Sequence, residues 1–229
     1  MIKAIIFDLD DTLYPEREAV ESGFKAVSRY ISNKHGLDYN MVLNVLVEGF
    51  KEGLRKKNFD IFLENLGIED ESIFDLVEIY RGHNPISIFL YPDAKKVLEW
   101  AKEKFKIGLI TNGPEIFQNN KISALGIREY FDKIFISGAL GEDYCKPSKK
   151  PYDIILNKLK VKPEEAVYVG DNPLKDFIGA RESGVFTVQI KRGEGEYNRI
   201  GDVADEYRAD YIISDLSGLK EIINKIKEK

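Results

Sequence analysis

Lys3-Ala4-Ile5-Ile6-Phe7-Asp8-Leu9-Asp10-Asp11-Thr12 is the stretch that decides the fold of this 229-residue chain. Its apolar first half predicts a buried β-strand, and three acidic residues follow where that strand ends. Residues two apart in an extended segment point to the same side, so the carboxylates of Asp8 and Asp10 face one spot. Two carboxylates at such a short separation repel each other unless one of them is protonated or a cation lies between them. The pair therefore predicts a cation site, with a capping turn as the structural alternative.

Strands and helices alternate from about residue 92 onwards. Predicted strands cover residues 105–110, 133–137, 166–169, 185–190 and 211–214, and predicted helices cover 115–125, 151–159 and 174–183. A further helix is expected at Asp93, which can cap it, and a last one runs through Lys227. This alternation predicts an α/β fold, a doubly wound parallel sheet of the Rossmann-like kind with right-handed crossovers.

A long helical stretch interrupts this pattern after the first strand. Apolar residues recur at helical spacing within residues 16–32, 42–54, 59–66 and 73–80, and no strand signal separates these segments. We therefore predict a four-helix cap domain, residues 15–91, inserted into a catalytic core formed by residues 1–14 and 92–229.

Three further polar clusters follow predicted strands of the core. They are Thr111-Asn112-Gly113, the loop at Lys146-Pro147, and Gly170-Asp171-Asn172 with Asp176 further on. Each has a structural alternative: a strand-to-helix turn, a solvated surface lysine, and acids favoured by a helix dipole. In open parallel sheets ligands bind beyond the carboxyl ends of the strands, so four such clusters predict one site. Several acids with few histidines favour a hard cation, and Mg²⁺ fits best.

Composition excludes several other classes of protein. One cysteine and two histidines leave no disulfide and no cysteine- or histidine-built metal cluster. A net charge of −5 argues against a nucleic-acid partner, and the Arg55–Lys57 run is expected to be a solvated helix end. No apolar run reaches the roughly 20 residues of a membrane span, and nothing resembles a signal peptide. We therefore expect a soluble, cytoplasmic protein that does not bind membranes.

The four clusters together resemble the motifs of the haloacid dehalogenase-like hydrolase superfamily. Phe7-Asp8-Leu9-Asp10-Asp11-Thr12-Leu13 resembles the first motif and Ile110-Thr111-Asn112-Gly113 the second. Lys146-Pro147, with Tyr152 beyond it, is similar to the third, which favours Lys146 over Lys149 and Lys150. Val169-Gly170-Asp171-Asn172 followed by Asp176 resembles the fourth. The resemblance covers the whole chain, and its motifs occur in the expected order.

The resemblance implies a role for each of these residues. Asp8 would be the nucleophile that forms an aspartyl-phosphate, and Asp10 the general acid and then base. Thr111 and Lys146 would hold the transferring phosphoryl group, together with Asn112 and Gly113. The Asp8 carboxylate, the Asp10 backbone carbonyl and Asp171 would bind Mg²⁺, with Asp176 supporting them. Asp11 and Thr12 are expected to be structural.

The implied activity is Mg²⁺-dependent hydrolysis of a small phosphorylated metabolite. Members that cleave carbon–halogen bonds resemble one another in lacking the second acid of the first motif, and this chain keeps Asp10. Alternatives that remain open are a sugar phosphomutase and, less favoured, a dehalogenase or a non-catalytic binding protein. The substrate could be phosphoglycolate, a sugar or triose phosphate, or a nucleotide. Tyr14, Glu16, Arg81 and His83 are candidate contacts near the cap hinges. The sequence does not decide between a monomer and a small homo-oligomer.

Overall fold

The computed structural model describes residues 1–53, 58–193 and 203–227. These residues form one six-stranded sheet in the order β3-β2-β1-β4-β5-β6, and every strand pair in it is parallel. The strands are β1 (Ala4–Phe7), β2 (Lys106–Thr111), β3 (Lys133–Ile136), β4 (Ala166–Gly170), β5 (Phe186–Ile190) and β6 (Tyr211–Ile213). The predicted α/β class and parallel sheet are confirmed.

The sheet is buried on both faces, as parallel sheets with crossover helices require. Ala4 and Ile6 of β1 belong to one apolar cluster, together with residues of β4 and the helix that follows β3. Ile5 and Phe7 alternate to the opposite face and are equally buried. β1 is therefore apolar at every position, which explains why its sequence shows a continuous apolar run rather than an alternation.

Six helices of the described chain accompany the strands of this sheet, and the last of them follows β6. They are α5 (Pro92–Lys102), α6 (Glu115–Ala124), α7 (Lys150–Leu159), α8 (Pro173–Asp176), α9 (Ile178–Glu182) and α10 (Leu219–Lys227). Gly108 of β2 lets α7 approach closely, because a Cβ atom there would lie 3.0 Å from Ile155 and 3.2 Å from Leu159. The single helix predicted over 174–183 is wrong in detail, since it divides into α8 and α9 at Phe177.

The predicted helix cap at Asp93 is also wrong. Tyr91 is the N-cap residue of α5, and Pro92 occupies the first turn. Asp93 Oδ2 instead accepts hydrogen bonds from Arg192 Nη1 at 2.6 Å and from the backbone N–H of Leu216 at 2.8 Å. A largely buried guanidinium needs a counter-ion, and that demand outweighs the capping preference of the aspartate.

Residues 17–88 form a separate helical unit with its own apolar core. Its helices are α1 (Glu16–His35), α2 (Tyr39–Lys51), α3 (Asn58–Leu66) and α4 (Ile73–Gly82). Side chains cap two of them: Asp38 accepts from the backbone N–H of Met41, and Ser72 from that of Asp75. The periodic apolar segments of the sequence thus correspond to four helices among the described residues.

The other compact unit consists of residues 1–16 and 89–229 and contains the sheet. The predicted domain boundaries lie two to three residues away, after residues 14 and 91, and the cap role of the helical unit stays a prediction. The Arg55–Lys57 run lies outside the described residues. Among the described helices, none has the length and apolar character needed to cross a membrane.

Candidate active site

The carboxyl ends of three neighbouring strands meet at one edge of the sheet. β1 lies between β2 and β4, with Phe7 in register with Leu109 on one side and with Val169 on the other. This is the point where the strand order reverses direction, and clefts in open α/β sheets form there. The candidate residues that close or follow these strands therefore emerge side by side: Asp8, Thr111 and Asp171.

A polar cavity of about 110 Å³ opens at this edge, here called the acidic cleft. Its lining combines carboxylate, ammonium, amide and hydroxyl groups from Asp8, Asp10, Glu16, Thr111, Asn112, Lys146, Asp171, Asn172, Lys175 and Asp176. Of the predicted motif residues, Gly113 is the one that is not part of this lining, and of the four candidate contacts near the hinges only Glu16 belongs to it.

Lys146 connects two buried carboxylates of the cleft. Its Nζ lies 2.7 Å from Asp8 Oδ1 and 2.7 Å from Asp176 Oδ1, and it donates to the Tyr168 hydroxyl at 2.9 Å. Burial raises the pKa of Asp8 to about 7, an effect that the ammonium of Lys146 opposes. Burial would lower the pKa of Lys146, but Asp176 and Asp8 outweigh it and raise that pKa, so Lys146 stays charged.

One carboxylate oxygen of Asp171 lacks a hydrogen-bond donor in the described part of the chain. Its Oδ1 accepts from the Thr12 hydroxyl at 3.3 Å, whereas its Oδ2 is buried without a hydrogen-bond partner among the described residues. Burial, together with Asp176 and Asp8 close by, raises the pKa of Asp171 well above its usual range. A buried carboxylate in this state calls for a proton or a cation.

One carboxylate oxygen from each of Asp8, Asp171 and Asp176 lies within 4.8 Å of the others, a grouping able to hold a metal ion. The oxygens of Asp176 are already engaged. Its Oδ1 accepts from Lys146 and Tyr168, and its Oδ2 from the backbone N–H of Asn172 at 2.8 Å. Asp8 and Asp171 would therefore be better placed than Asp176 to hold a cation, and Asp176 contacts the cleft through Lys146.

Asp10 is held by three donors from outside the predicted motifs. Its Oδ1 accepts from the Tyr14 hydroxyl and lies 2.8 Å from Lys121 Nζ, and its Oδ2 accepts from Gln118 Nε2 at 3.0 Å. Burial alone would raise the pKa of Asp10, but Lys121, Tyr14 and Gln118 together hold it below its ordinary value. Gln118 Nε2 also donates to Thr111 Oγ1.

The side chain of Asn112 fastens the Lys146 loop rather than facing a ligand. Its Nδ2 donates to the Lys146 carbonyl at 2.8 Å, and its Oδ1 accepts from the Lys146 N–H at 3.0 Å. The Ser137 hydroxyl also donates to that Oδ1 at 2.8 Å. The hydrogen bonds of the Asn112 side-chain amide thus fix the position of Lys146. Asn112 could therefore contact an anion only through its backbone.

Gly113 shapes the loop at the end of β2. It adopts a φ of 124°, a conformation that side chains rarely allow. Gly138, in the turn after β3, approaches it so closely that a Cβ atom on Gly138 would lie 1.9 Å from the Gly113 carbonyl oxygen. If Gly113 binds phosphate as predicted, its backbone must make the contact. The shape of the loop depends on Gly113 and Gly138, because the φ of Gly113 disfavours a side chain and the position of Gly138 leaves no room for one.

The remaining candidates divide between structural and cleft positions. Asp11 has a φ of 51°, and its Oδ1 accepts from the backbone N–H of Glu16, so it is structural as predicted. Thr12, expected to be a turn hydroxyl, instead donates to Asp171. Arg81 is an exposed residue of the helical unit, where His83 Nδ1 hydrogen-bonds the Tyr80 carbonyl.

Sequence reasoning missed Gln118 and Lys121. Both are buried on the inward face of α6, beside Phe117 and Ile122. The available signal was a lysine at an apolar position of an amphipathic helix, because such a residue needs a buried counter-ion. Tyr168, inside β4, was read as an ordinary strand residue, although a buried tyrosine hydroxyl must also find a partner.

Comparisons with known proteins agree with this geometry. A model of the haloacid dehalogenase-like hydrolase family matches residues 2–184, and the chain belongs to that family. Glyceraldehyde 3-phosphate phosphatase of Methanocaldococcus jannaschii is 34% identical, covering 100% of each chain. The protein of the same name from Methanopyrus kandleri is 34% identical over 85% of this chain and 86% of its own.

A solved structure shares the whole fold. The 2-haloacid dehalogenase of Pseudomonas syringae superposes with a TM-score of 0.67 at 25% identity, over 98% of this chain and 99% of that one. The predicted family and fold are therefore confirmed, and the chain is a haloacid dehalogenase-like hydrolase.

Proposed function

We propose that this hydrolase is a Mg²⁺-dependent phosphatase that acts on a small phosphorylated metabolite through a phosphorylated Asp8. The observation that carries the proposal is the surroundings of Asp8. Its carboxylate lies 2.7 Å from the buried ammonium of Lys146 and clusters with the carboxylate of Asp171, whose Oδ2 has no hydrogen-bond partner within residues 1–53, 58–193 and 203–227. A nucleophile, a counter-ion for phosphoryl oxygens and a metal ligand thus share one cleft.

The reaction follows in two balanced steps. Asp10 first accepts a proton from solvent, because its resting pKa lies below the ordinary value. An oxygen of Asp8 then attacks phosphorus, the bond from phosphorus to the ester oxygen breaks, and that oxygen takes the proton from Asp10. A water molecule then attacks the aspartyl-phosphate and gives a proton to Asp10, while the bond from phosphorus to Asp8 breaks. Inorganic phosphate leaves, and both aspartates return to their starting states. Lys146 and Thr111 hold the phosphoryl oxygens throughout.

The residues present suit a magnesium ion. The Asp8 and Asp171 carboxylates and the Asp10 backbone carbonyl are the oxygen ligands we propose, and magnesium takes oxygen ligands of this kind. The ion would supply positive charge opposite the phosphoryl oxygens. The unpartnered Oδ2 of Asp171 supports this assignment, because a bound cation would remove the cost of leaving it buried and bare.

Asp10 favours phosphatase over dehalogenase chemistry, even though a dehalogenase shares the fold. A halide leaves without a proton, so a dehalogenase has no use for a second acid beside the nucleophile. Here Asp10 lines the cleft beside Asp8, and three donors orient it. Such an acid is useful when the leaving group is an alkoxide that must be protonated.

Among small substrates we propose a triose phosphate. Two relatives 34% identical over most of both chains carry the name glyceraldehyde 3-phosphate phosphatase, and this supports that substrate over phosphoglycolate, larger sugar phosphates or nucleotides. Phosphorylated metabolites of this size occur inside cells, so a cytoplasmic location belongs to the same proposal.

Phosphate release by the purified protein tests the proposal. We expect Mg²⁺-dependent hydrolysis of 4-nitrophenyl phosphate and, within a panel of metabolite esters, the highest kcat/KM for glyceraldehyde 3-phosphate. Asp8→Asn should abolish turnover, whereas Asp153→Asn, at an exposed ion pair with Lys149, should leave it unchanged. An inert wild-type protein would refute the activity, and a preference for another ester would refute the substrate alone.

A further inference from the structure

Three side chains surround the carboxylate of Asp10, here called the Asp10 cradle: Tyr14, Gln118 and Lys121. Tyr14 and Lys121 both donate to Oδ1, with Lys121 Nζ at 2.8 Å. Gln118 donates to Oδ2 at 3.0 Å. The two oxygens of the Asp10 carboxylate therefore have different surroundings, with two donors on Oδ1 and one on Oδ2.

Lys121 is buried, and burying the ammonium of a lysine costs free energy of folding. It is 2% exposed, and its Nζ lies 4.2 Å from the centre of the Phe117 ring. A buried ammonium destabilises a fold unless a counter-ion compensates it, and Asp10 is the carboxylate that does so among the described residues. The buried ammonium of Lys121 and the carboxylate of Asp10 therefore depend on each other for charge compensation.

We propose that the Asp10 cradle consists of positioning residues that direct proton transfer through Oδ2 of Asp10. A carboxylate offers about four lone-pair positions. Two donors occupy Oδ1, and one of them is a cation, so Oδ1 is the poorer site for a proton. Oδ2 has one donor among the described residues, Gln118, so its remaining lone-pair position can carry the proton that passes to the reacting oxygen. The inference rests on the phosphatase function proposed above.

The proton then has a defined route in each half of the reaction. In the first half it passes from Oδ2 to the ester oxygen as the bond from phosphorus to that oxygen breaks. In the second half the attacking water returns a proton to the same Oδ2. Lys121 and Tyr14 stay on Oδ1 throughout and keep their own protons.

Gln118 links this device to the phosphate-binding end of the cleft. Its Nε2 donates both to Asp10 Oδ2 and to Thr111 Oγ1. Gln118 and Lys121 are three residues apart on α6 and share one face of the helix. The proton donor and the hydroxyl that meets the phosphoryl group are therefore set by one rigid element, which begins directly after the loop at the end of β2.

Leaving-group dependence separates this role from a structural one. An alkyl phosphate expels a basic alkoxide that needs the proton, whereas 4-nitrophenyl phosphate expels a weakly basic phenolate that does not. A variant with a misplaced acid should therefore lose activity mainly on the alkyl ester. A variant that merely disturbs the fold should lose the same factor on both. The quantity to compare is kcat/KM, because it reports the steps up to formation of the aspartyl-phosphate.

The test uses Lys121→Met, which keeps the length of the side chain and removes its charge. We expect kcat/KM for propyl phosphate to fall about 10²-fold relative to wild type, and kcat/KM for 4-nitrophenyl phosphate to fall less than about tenfold, with KM little changed. Equal losses on the two esters, or no loss on either, would overturn the proposal.

Two further variants keep the result interpretable. Tyr14→Phe removes one Oδ1 donor from a fully buried ring and should shift the ratio in the same direction by a smaller factor. If Lys121→Met fails to fold, the ratio for Tyr14→Phe decides. Lys102→Met, at an exposed lysine of α5, should leave both values unchanged. Wild-type turnover that Asp8→Asn abolishes would uphold the phosphatase function even where the cradle variants show no selective loss.

Discussion

Lys146 Nζ lies 2.7 Å from Asp8 Oδ1, and both side chains are buried. The same ammonium also pairs with Asp176, and this second ion pair fixes its position beside Asp8. The arrangement places a fixed positive charge where phosphoryl oxygens would arrive. It also distinguishes the three lysines of residues 146–150, because Lys146 is buried beside Asp8 whereas Lys149 and Lys150 are exposed.

Replacing Lys146 by Met should reduce kcat/KM by about 10²–10³-fold, the range typical of losing one charge-stabilising group in an active site. Lys149→Met is the matched control, since Lys149 pairs with Asp153 at the surface, and we expect less than a twofold change. Steady-state kinetics on one phosphate ester measures both variants. Comparable losses in the two would show that Lys146 has no special role.

Asp171→Asn should weaken Mg²⁺ binding and, at the same time, raise the thermal stability of the metal-free protein. Without metal, Asp171 is a buried carboxyl close to Asp8 and Asp176, so removing its charge should raise Tm in the presence of a chelator. In wild type, Mg²⁺ at a hundredfold excess over its Kd should stabilise the fold by about 2.7 kcal/mol, and this gain should disappear in the variant. Thermal unfolding with and without Mg²⁺ measures both effects. A full Mg²⁺ shift in Asp171→Asn would exclude Asp171 as a ligand.

Gly138→Ala should disrupt the loop that carries Thr111 and Gly113. The added Cβ would meet the Gly113 carbonyl oxygen at 1.9 Å, so one of the two segments must move. We expect a loss of about 1–3 kcal/mol in the free energy of unfolding, with a fall in kcat. Gly82→Ala, at a helical glycine with open space around it, should be neutral or stabilising by up to about 1 kcal/mol. Chemical denaturation compares the two, and a tolerant Gly138 would contradict the close approach.

The helical unit should lose stability in acid through Glu71. Burial alone would raise the pKa of Glu71, but hydrogen bonds with Lys34 and His35 outweigh it and hold that pKa below its usual value. A depressed carboxyl pKa stabilises the folded state above the unfolded-state pKa of roughly 4.3, and that contribution is lost as pH falls through the folded-state value.

The pH dependence of unfolding tests this point. Glu71→Gln should be less stable than wild type at pH 7. The two curves should approach each other as pH falls below roughly 4.3 and should converge below the lower folded-state pKa of Glu71, where both side chains are neutral. Glu64→Gln, at an exposed position of α3, is the control and should follow wild type at every pH. A constant difference between Glu71→Gln and wild type down to low pH would assign the effect to packing instead of charge.

Much of the fold could be predicted because its signals are local. The continuous apolar run of β1, the helical spacing of α1 to α4 and the polar clusters after β1, β2 and β4 each depend on neighbouring residues. In a parallel sheet, such clusters must meet at the carboxyl edge. The sequence alone therefore predicts that Asp8, Thr111 and Asp171 lie in one cleft.

The parts that could not be predicted depend on partners distant in sequence. Asp10 is 108 residues from Gln118 and 111 from Lys121, and no local pattern joins them. Likewise the local sequence predicts that Asp93 caps a helix, whereas in the structure Asp93 pairs with Arg192, which is 99 residues away. Long-range pairing of polar groups thus overrides local preference. Periodicity can mark Lys121 as a buried lysine, but it does not identify Asp10 as its partner.

The central claim is that Asp8 becomes phosphorylated, and trapping that species tests it most directly. Wild-type protein should be mixed with Mg²⁺ and saturating substrate, quenched in acid, reduced with borohydride and digested. The account predicts homoserine at position 8 in wild type during turnover, and its absence both without substrate and in Asp8→Asn. Turnover with no modified residue at position 8, or a phosphoryl group trapped on another side chain, would contradict it.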